Sequence, residues 1–414
     1  MNSRANAWAA LALLTALNFV NYIDRSILFA VQELVKSEFA LSDKRVGFLT
    51  SAFFFCYMIA APLITPLADR FPRKWIMAAG AFVWSAATLL TAITHNYDEL
   101  LLRHIIVGIG EATFVVFSPA LLSDLFPEHL RGRVLSIFYL AIPVGTAFGY
   151  IIGGKLGEAH GWRMPFLVCA IPGMLLAFGL LALREPQRGA SDHIADTLER
   201  GTILGLFRNK AFWTVSLGMA MATFALGGLQ AWMPTFLLRA RNVPLGKANL
   251  VFGIVTVVAG TLSTLSGGWL GDRLLRRTPA AYQLVSAISM ALSVPAMIVV
   301  LYVAGPVMFP AIFVGEFFVL FGTAPLNAAL VNSVSARIRA TAVAVNVFTI
   351  HLLGDASSPW IIGYISDRTN LQTGFLAAVA ATALSAAVLF YGMRFAPPVP
   401  ESEISGAVPE GAPA

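Results

Sequence analysis

Long apolar stretches separated by short polar loops run along the whole chain. Each stretch holds about 20 residues or more, enough to cross a hydrocarbon core of ~30 Å as an α-helix. They lie near residues 7–33, 45–67, 75–95, 98–122, 133–157, 163–183, 211–238, 247–271, 281–304, 307–332, 340–365 and 371–395. The pattern therefore predicts an all-α membrane protein with twelve transmembrane helices, which we number as spans 1 to 12.

The composition agrees with this pattern. Hydrophobic residues make up 57% of the 414 positions and charged residues only 12%, whereas an ordinary soluble domain has roughly 25% charged residues. The first stretch is too long for a signal peptide and is followed by further spans, so we keep it as span 1. Both cysteines, Cys56 and Cys169, fall inside predicted spans, which argues against a disulfide framework.

The basic residues in the loops predict the orientation. With both termini inside, 17 Lys and Arg residues fall on the cytoplasmic side and 9 on the outer side. Cytoplasmic loops of membrane proteins carry such an excess, so both termini are predicted to be cytoplasmic. The same bias explains the formal charge of +6, which therefore does not indicate a nucleic-acid partner.

One long polar interruption, LREPQRGASDHIADTLERGTILGLFRNK, separates spans 6 and 7. A second polar segment, PPVPESEISGAVPEGAPA, ends the sequence, and its Pro, Gly and Glu content is typical of disorder. Together they predict an N-terminal six-helix bundle, a cytoplasmic linker, a C-terminal six-helix bundle and a disordered tail, at residues 1–188, 189–208, 209–396 and 397–414.

The two halves carry the same motifs. TPLADRFPRK follows span 2 and GWLGDRLLRR follows span 8, which makes Asp69 and Asp272 equivalent. Glu111 follows a glycine in span 4, and Glu316 follows a glycine at nearly the same place in span 10. A duplicated six-helix unit is the plan of parallel-repeat transporters, whose substrate site lies near the membrane midplane between the repeats.

Span 1 carries two adjacent charges, Asp24 and Arg25, inside its apolar run. A charge at the bilayer centre costs at least ~2.5–3.5 kcal/mol, so such residues usually face a protein interior or an aqueous path. Asn21, Tyr22 and Arg25 share one helix face with Asp24 at its margin, which makes Asn21 and Tyr22 cavity candidates. We interpret Asp24 as a proton-binding carboxylate beside a fixed cation. The alternative is a structural ion pair with neighbouring helices.

Span 4 contains a second acid, Glu111, with no charge beside it in the sequence. A carboxyl there can hold a proton and release it when a cavity hydrates, as coupling to a proton gradient requires; a hydrogen-bonded structural carboxyl is the alternative. His104 precedes Glu111 by two turns on the same face, whereas Arg103 is rotated from it by about 80°. Both are candidate cations for the substrate or for coupling.

These motifs resemble those of the major facilitator superfamily. The resemblance rests on the Leu-x-Asp-Arg loop after span 2, its repeat after span 8, and the RGR sequence at 131–133. Thr65 and Pro72 stand where the superfamily usually has glycines, although Gly268 restores the first of them in the second half. The resemblance covers essentially the whole chain. It implies an all-α major facilitator fold of two pseudo-symmetric six-helix bundles, with both termini cytoplasmic.

Within that superfamily the chain resembles the Spinster family. NYIDR, GIGEATF, IPVGTAFGYIIGG and GLQAWMPTFL are similar to Spinster sequences, and HLLGDASSPWIIGYISDR in span 11 is the most specific of these likenesses. The resemblance implies that Asp24 and Glu111 are the proton-linked pair. An arginine is usual at the position of His104, so the histidine could tune coupling differently, or Arg103 could take that role after a modest helix rotation.

Charged residues also mark the cytoplasmic ends of spans 2 and 8. They could latch the two halves together on that side, because a carboxylate near a helix N-terminus can pair with basic residues and later release them. The positive-inside rule alone is the other explanation, but it needs only the basic residues. The predicted cytoplasmic gate consists of Asp69, Arg70, Arg73, Asp272, Arg273 and Arg276.

Three further titratable residues lie in the spans of the second half. Glu316 repeats Glu111, so it is a cavity candidate with a scaffold role as the alternative. Asp355 lies four residues after His351 and can pair with it, or can bond backbone groups freed near Pro359. We therefore keep Asp355 as a second cavity candidate and treat His351 as structural.

Glycines at every fourth position of span 5, Gly145, Gly149 and Gly153, predict close helix packing rather than a phosphate-binding loop. The sequence contains no Walker-type GK[ST] motif, no metal-binding cluster and no nucleophile elbow. We therefore expect a transporter that is not an enzyme and that needs no cofactor other than the coupling proton.

The expected function is proton-coupled secondary active transport by alternating access. The Spinster resemblance implies an amphiphilic substrate of the lysophospholipid or sphingoid-phosphate type, and FFFCYM and MAMATF would suit an acyl chain or, equally, the lipid-facing exterior. The main rival is a symporter of small organic anions such as sugar acids. A second cationic clamp would favour it, yet spans 7 to 12 have no mid-span Lys or Arg.

A membrane receptor or scaffold without transport is a third possibility, but such a protein would not need titratable groups in spans 1 and 4. We expect a monomer surrounded by membrane lipids in the inner, cytoplasmic membrane of a bacterium, with no nucleic-acid partner.

Overall fold

A computed structural model describes residues 3–183, 185, 205–335 and 338–398 of the chain. Most of the predicted linker, from residue 189 to 204, and most of the predicted tail, from 399 to 414, lie outside these ranges. The side chain of Asp69 also lies outside the description, although its backbone belongs to a short 3₁₀ helix, Thr65–Asp69.

The described residues form long α-helices, which we number to match the predicted spans. The first six are α1 Ser3–Glu38, α2 Asp43–Ile64, α3 Arg73–Thr91, α4 Tyr97–Leu125, α5 Glu128–His160 and α6 Arg163–Leu181. The next three are α7 Lys210–Arg241, α8 Leu245–Leu275 and α9 Ala281–Tyr302. The last are α10a Met308–Phe321, α10b Thr323–Asn332, α11a Arg339–Ile350, α11b Ser358–Arg368 and α12 Leu371–Gly392.

Eleven helical segments among the described residues are long and apolar enough to cross a membrane. Span 11 accounts for the difference from the twelve predicted, because it is broken into α11a and α11b. A π-helical turn, His351–Asp355, joins the two parts, and Gly354 there has non-helical angles of φ −106° and ψ −109°. Pro359 lies in the first turn of α11b, where its missing N–H has no helical partner to lose. The predicted span over 340–365 is therefore present as two helices with a break just before Pro359.

The glycine stripe of α5 packs directly against α1. A Cβ atom on Gly149 would lie 2.6 Å from Cβ of Ser26 and 2.7 Å from the carbonyl oxygen of Ile23. Gly145 and Gly153 approach α1 one turn away on either side, at Phe19 and Ala30. The predicted packing role of these glycines is confirmed, and the close contact holds the charged face of α1 in a fixed position.

The helices group into two compact units, each with its own apolar core. The first unit comprises Met1–Ala195, Gly227–Val257 and Asp355–Phe375, and the second comprises Asp196–Leu226, Val258–Gly354 and Leu376–Ala414. In addition to α1 to α6, the first unit thus contains the C-terminal part of α7, the N-terminal part of α8, and α11b. The division into bundles at 1–188 and 209–396 stays a prediction about the sequence repeat.

Candidate functional site

An ion pair between α1 and α4 forms the centre of the candidate site. The Nε atom of Arg25 donates a hydrogen bond of 2.6 Å to Oε2 of Glu111. The Arg25 side chain is 10% exposed and that of Glu111 is fully buried. The next residue back, Gly110, lets α4 approach α3, because a Cβ there would lie 2.9 Å from Cβ of Trp84. The structure thus joins two of the predicted site residues, Arg25 and Glu111, in one charge-assisted hydrogen bond.

Aromatic rings surround the guanidinium on its other sides. The guanidinium carbon of Arg25 lies 4.9 to 5.9 Å from the ring centroids of Tyr22, Phe53, Phe54 and Tyr57. Aromatic faces attract a cation, and the attraction is stronger where water is excluded. Arg25 is therefore held by both a carboxylate and a set of rings, while its Nη2 atom is buried and has no hydrogen-bond partner among the described residues.

Asp24 lies apart from this ion pair although it is next to Arg25 in sequence. Its side chain is buried, and neither carboxylate oxygen has a hydrogen-bond partner among the described residues. The indole N–H of Trp84 lies toward the carboxylate without reaching hydrogen-bond geometry. A buried acid without partners is costly as an anion, so Asp24 is a candidate for proton binding.

His104, and not Arg103, lies near Asp24. Both Asp24 and His104 line a small cavity of about 20 Å³, which is large enough for one water molecule. His104 is 8% exposed, and its Nδ1 atom is buried without a hydrogen-bond partner among the described residues. Thr50 lines the same cavity, and its hydroxyl is likewise unpartnered there.

Arg103 points away from the site. Its guanidinium donates short hydrogen bonds to the carbonyl oxygen of Leu90 and the hydroxyl of Thr94, and it lies 3.5 Å from Glu99. It therefore ties α4 to the end of α3 near the predicted outer surface. The suggestion that Arg103 takes the place of an arginine at position 104 is not supported by this arrangement.

The cavity candidates of α1 both lie at the ion pair. Asn21 is fully buried, and its side-chain amide has no hydrogen-bond partner among the described residues. Tyr22 contacts Arg25 through its ring. Asp355, just after the break in α11, lies within electrostatic range of the Tyr22 hydroxyl. The structure thus brings Asn21, Tyr22 and Asp355 to the first unit together with Arg25.

Glu316 lies in the second unit. It is buried on α10a at 2% exposure, next to Gly315, whose carbonyl accepts a hydrogen bond of 3.0 Å from Ser293 of α9. Its position follows the sequence repeat, and its role as a cavity residue stays a prediction.

Arg73 of the predicted gate is bound within the first six helices. Its guanidinium lies 2.7 Å from Oδ2 of Asp124 at the end of α4 and 3.0 Å from Oε1 of Glu185 after α6. Its backbone N–H also donates to Glu185. Arg70, by contrast, is exposed. Arg73 therefore joins the ends of three helices of one bundle, and a role between bundles stays a prediction.

The gate residues of the second half have contacts of their own. Asp272 accepts a hydrogen bond of 2.9 Å from the Tyr282 hydroxyl of α9. The guanidinium of Arg273 lies 5.2 Å from the Trp269 ring centroid, and Arg276 is exposed. The Asp272 bond attaches the end of α8 to α9 inside the second unit, whereas the Arg273 contact lies within α8.

Sequence reasoning missed the α2 side of the site. Thr50, Phe53, Phe54 and Tyr57 line the cavity or the guanidinium. Their spacing of i, i+3, i+4 and i+7 marks one helix face and was the available signal. The sequence suits FFFCYM to an acyl chain or to the lipid-facing exterior, but three of its aromatic side chains instead surround Arg25.

Comparison with known proteins gives consistent likenesses. The family model described as Major Facilitator Superfamily matches residues 14–359. The sphingosine-1-phosphate transporter SPNS2 of Mus musculus is 36% identical over 386 residues, covering 87% of this chain and 70% of the relative. Protein spinster homolog 1 of Mus musculus is 35% identical over 392 residues, covering 88% and 74%. Protein spinster of Drosophila melanogaster is 32% identical over 379 residues, and the match spans 87% of this chain but 62% of the fly protein.

Solved structures show the same fold. A bacterial homologue of the human lysosomal transporter Spinster, in an inward-facing and unoccupied conformation, superposes with a TM-score of 0.85 at 22% identity, covering 94% of this chain and 98% of that one. A D-xylose–proton symporter superposes with a TM-score of 0.74 at 18% identity, covering 94% and 98%. At these identities the likeness establishes the fold and nothing finer.

Proposed function

The chain belongs to the Spinster family of the major facilitator superfamily, and we propose that it is a proton-coupled secondary transporter of an amphiphilic, lipid-like substrate. Membership makes it an integral, multi-pass membrane transporter and not an enzyme. The proton, the substrate class and alternating access are our proposal. The observation that carries it is the buried ion pair of Arg25 and Glu111, together with the buried and unpartnered Asp24 of the same helix.

Proton binding at Glu111 changes what Arg25 can bind. The ionised carboxylate occupies the guanidinium at 2.6 Å. A proton removes that charge and leaves Arg25 as a buried cation held by aromatic rings, which attracts an anionic head group. The proton and the anion then favour the same state of Arg25, so each increases the affinity for the other. Such linkage is what symport requires.

Asp24 and His104 supply a second titratable pair beside the first. They share a cavity with room for one water molecule, which can carry a proton between the two side chains. In this proposal Asp24 and Glu111 bind the single coupling proton, and His104 exchanges that proton with Asp24 across the cavity. Arg103 has no part in it, because its guanidinium is already bonded at the end of α3.

An apolar groove on the same helix as Arg25 favours a substrate with an acyl chain. The groove has a volume of about 580 Å³ and runs between α1 and α5 from Trp8 to Phe19. At 1.5 Å per residue these positions are about 16 Å apart along the helix, and Phe19 lies about 9 Å before Arg25 along the same axis. Thr15 supplies the only polar side chain of its lining, which is otherwise Trp8, Leu11, Ala12, Ala16, Phe19, Ile137, Leu140, Ala141 and Val144.

An anionic head group at Arg25 and a chain in the groove define an amphiphile. The name of the mouse relative, a sphingosine-1-phosphate transporter, describes a substrate of this type and supports the proposal. The rival substrate, a small organic anion such as a sugar acid, needs Arg25 but makes no use of the apolar groove.

The test is flux in proteoliposomes under an imposed pH gradient, with lysolipids and sugar acids compared on the same preparation. We expect lysolipid movement that follows the gradient, and loss of this dependence in Glu111→Gln and Asp24→Asn. Asp98→Asn is the matched control, because it removes an exposed acid from the same helix as Glu111. Uptake of sugar acids alone would overturn the lipid proposal. Wild-type behaviour of both acid variants would overturn the coupling proposal.

A further inference from the structure

A cluster of charged side chains lies on the predicted outer side, at the C-terminal ends of α1, α7 and α11b and at the N-terminal end of α2. The proposed transport site does not include these residues. Arg239, near the end of α7, binds two acids at once. Its Nε atom donates a hydrogen bond of 2.8 Å to Glu33 of α1, and its Nη1 atom lies 2.8 Å from Oδ2 of Asp43 at the start of α2. One guanidinium of the second half thus bridges two helices of the first half, and Lys36 adds a bond of 2.6 Å to Asp43.

A carboxylate of α11b caps the N-terminus of α2. Asp367 accepts the backbone N–H of Asp43 at 2.7 Å and that of Lys44 at 2.9 Å. The first N–H groups of a helix have no intrahelical partner and carry partial positive charge, so an acid there binds favourably. Ser366 donates to Asp43 at 2.5 Å. Gly363 makes the approach possible, since a Cβ there would lie 2.3 Å from the carbonyl oxygen of Asp43.

Neutral hydrogen bonds also join α1 to α7 and α8, and those to α7 lie one and two turns before Arg239. Gln32 of α1 donates to the carbonyl oxygen of Ala231 at 2.6 Å and to the hydroxyl of Thr235 at 2.7 Å, both on α7. Asn249 of α8 donates to the carbonyl oxygen of Ala30 on α1 at 3.1 Å. These bonds and the charged cluster all connect the first six helices to the last six.

We propose that Arg239 and Asp367 form an outer latch, which holds the outer ends of α7 and α11b on α1 and α2 and opens once in every transport cycle. The proposal rests on the transport function of the family, but not on the coupling proton or the substrate. Asp43 is its shared anchor: its side chain is 5% exposed, whereas that of Arg239 is 24% exposed. Water can therefore reach the arginine and replace its bonds when the latch opens, as a reversible gate needs.

Spin-label distances in the full chain test the latch. Labels at Asp98 and Lys247, two exposed positions at the outer ends of α4 and α8, report the separation of the outer ends by double electron–electron resonance. We expect the ratio of a longer-distance to the short-distance population to rise at least tenfold in Arg239→Gln and in Asp367→Asn, which corresponds to about 1.4 kcal/mol.

Arg163→Gln is the matched control. Arg163 lies 2.6 Å from Glu38, also at the outer end, but this pair joins α6 to α1 inside the first six helices. We expect its distance distribution to equal that of the wild type. An equal shift in Arg163→Gln would show general loosening and overturn the latch.

Unchanged distributions in both latch variants would also overturn it. If Arg239→Gln is not monodisperse after purification, Asp367→Asn decides, because it keeps the size of the side chain and one acceptor oxygen. The measurement needs no substrate. Absence of lysolipid flux in the wild type would therefore refute the proposed substrate and leave the latch to be judged by the distances.

Discussion

The ion pair at the centre of the site predicts an asymmetry between its two partners. Removal of one member of a buried pair leaves the other as an uncompensated charge and typically costs ~3–5 kcal/mol. Arg25→Gln leaves the Glu111 carboxylate with no cation beside it. Glu111→Gln leaves a cation that still faces four aromatic rings at 4.9 to 5.9 Å. The arginine variant should therefore be the less stable of the two.

The rings set the size of the difference. Each cation–π contact contributes about 0.5 kcal/mol at the least and about 2 kcal/mol where water is excluded. Four contacts at the lower value stabilise the lone cation by about 2 kcal/mol, so we expect a loss of ~1–3 kcal/mol in Glu111→Gln and ~3–5 kcal/mol in Arg25→Gln. The double variant contains no lone charge and should be more stable than Arg25→Gln.

Thermal unfolding of purified protein in detergent, at one fixed scan rate, measures this order. We expect melting temperatures to fall from wild type to Glu111→Gln to Arg25→Gln, with the double variant above Arg25→Gln. Equal losses in the two single variants, or a larger loss in Glu111→Gln, would refute the stabilising role of the rings. Additive losses in the double variant, within about 0.5 kcal/mol, would refute the pairing itself.

Three further predictions concern α1, α4 and α5. Gly149→Val places a branched side chain against Ser26 and should lower the melting temperature by the equivalent of ~1–3 kcal/mol. Gly132→Ala is the control: a new Cβ there has no atom within 4 Å, so the melting temperature should not fall. Ala12→Trp fills the apolar groove and should slow flux of long-chain lysolipids several-fold more than that of short-chain ones; equal effects would contradict the groove as the chain site. His104→Gln should change how flux depends on the pH gradient while Arg103→Gln should not, and the reverse result would restore Arg103 to the site.

The sequence predicts the charged residues of the site better than the aromatic residues around them. Asp24, Arg25 and Glu111 stand out because a charge inside an apolar span is costly and rare, and the structure places all three in one unit. The rings of Phe53, Phe54 and Tyr57 carry no such signal, since aromatic residues are common on every face of a membrane helix. Only the position of Arg25 on α1 shows which face of α2 belongs to the site.

The outer latch was not predictable because its residues lie at the ends of spans. Lys36 and Arg239 belong to the nine basic residues on the predicted outer side, and nothing in their spacing indicates which acid each one meets. Asp367 looks like an ordinary acid in the loop after span 11. Its role depends on a helix N-terminus 323 residues away from it in the sequence, at Lys44.

The break in span 11 lies between these two cases. Gly354 and Pro359 are both visible in the sequence, and a bond from Asp355 to backbone groups freed near Pro359 is one of the two alternatives that the sequence offers. Hydropathy, however, averages over the whole span, so a break that keeps its apolar character does not interrupt the pattern. The break is set by the backbone angles of Gly354, which packs against Thr223 and Ala220 of α7.

The aromatic surroundings of Arg25 have an electrical consequence. They allow the arginine to stay in place and charged when Glu111 takes up a proton, so the cation is a permanent part of the transporter. In the proposed exchange, the site carries one positive and one negative charge when empty, and one positive charge with a neutral acid and a bound anion when loaded. Both states have the same net charge, and any charge kept by Asp24 is common to them. Since a charge moved through the membrane potential is worth about 2.3 kcal/mol per 100 mV, transport of a singly charged lipid with one proton should proceed at a rate that does not depend on voltage.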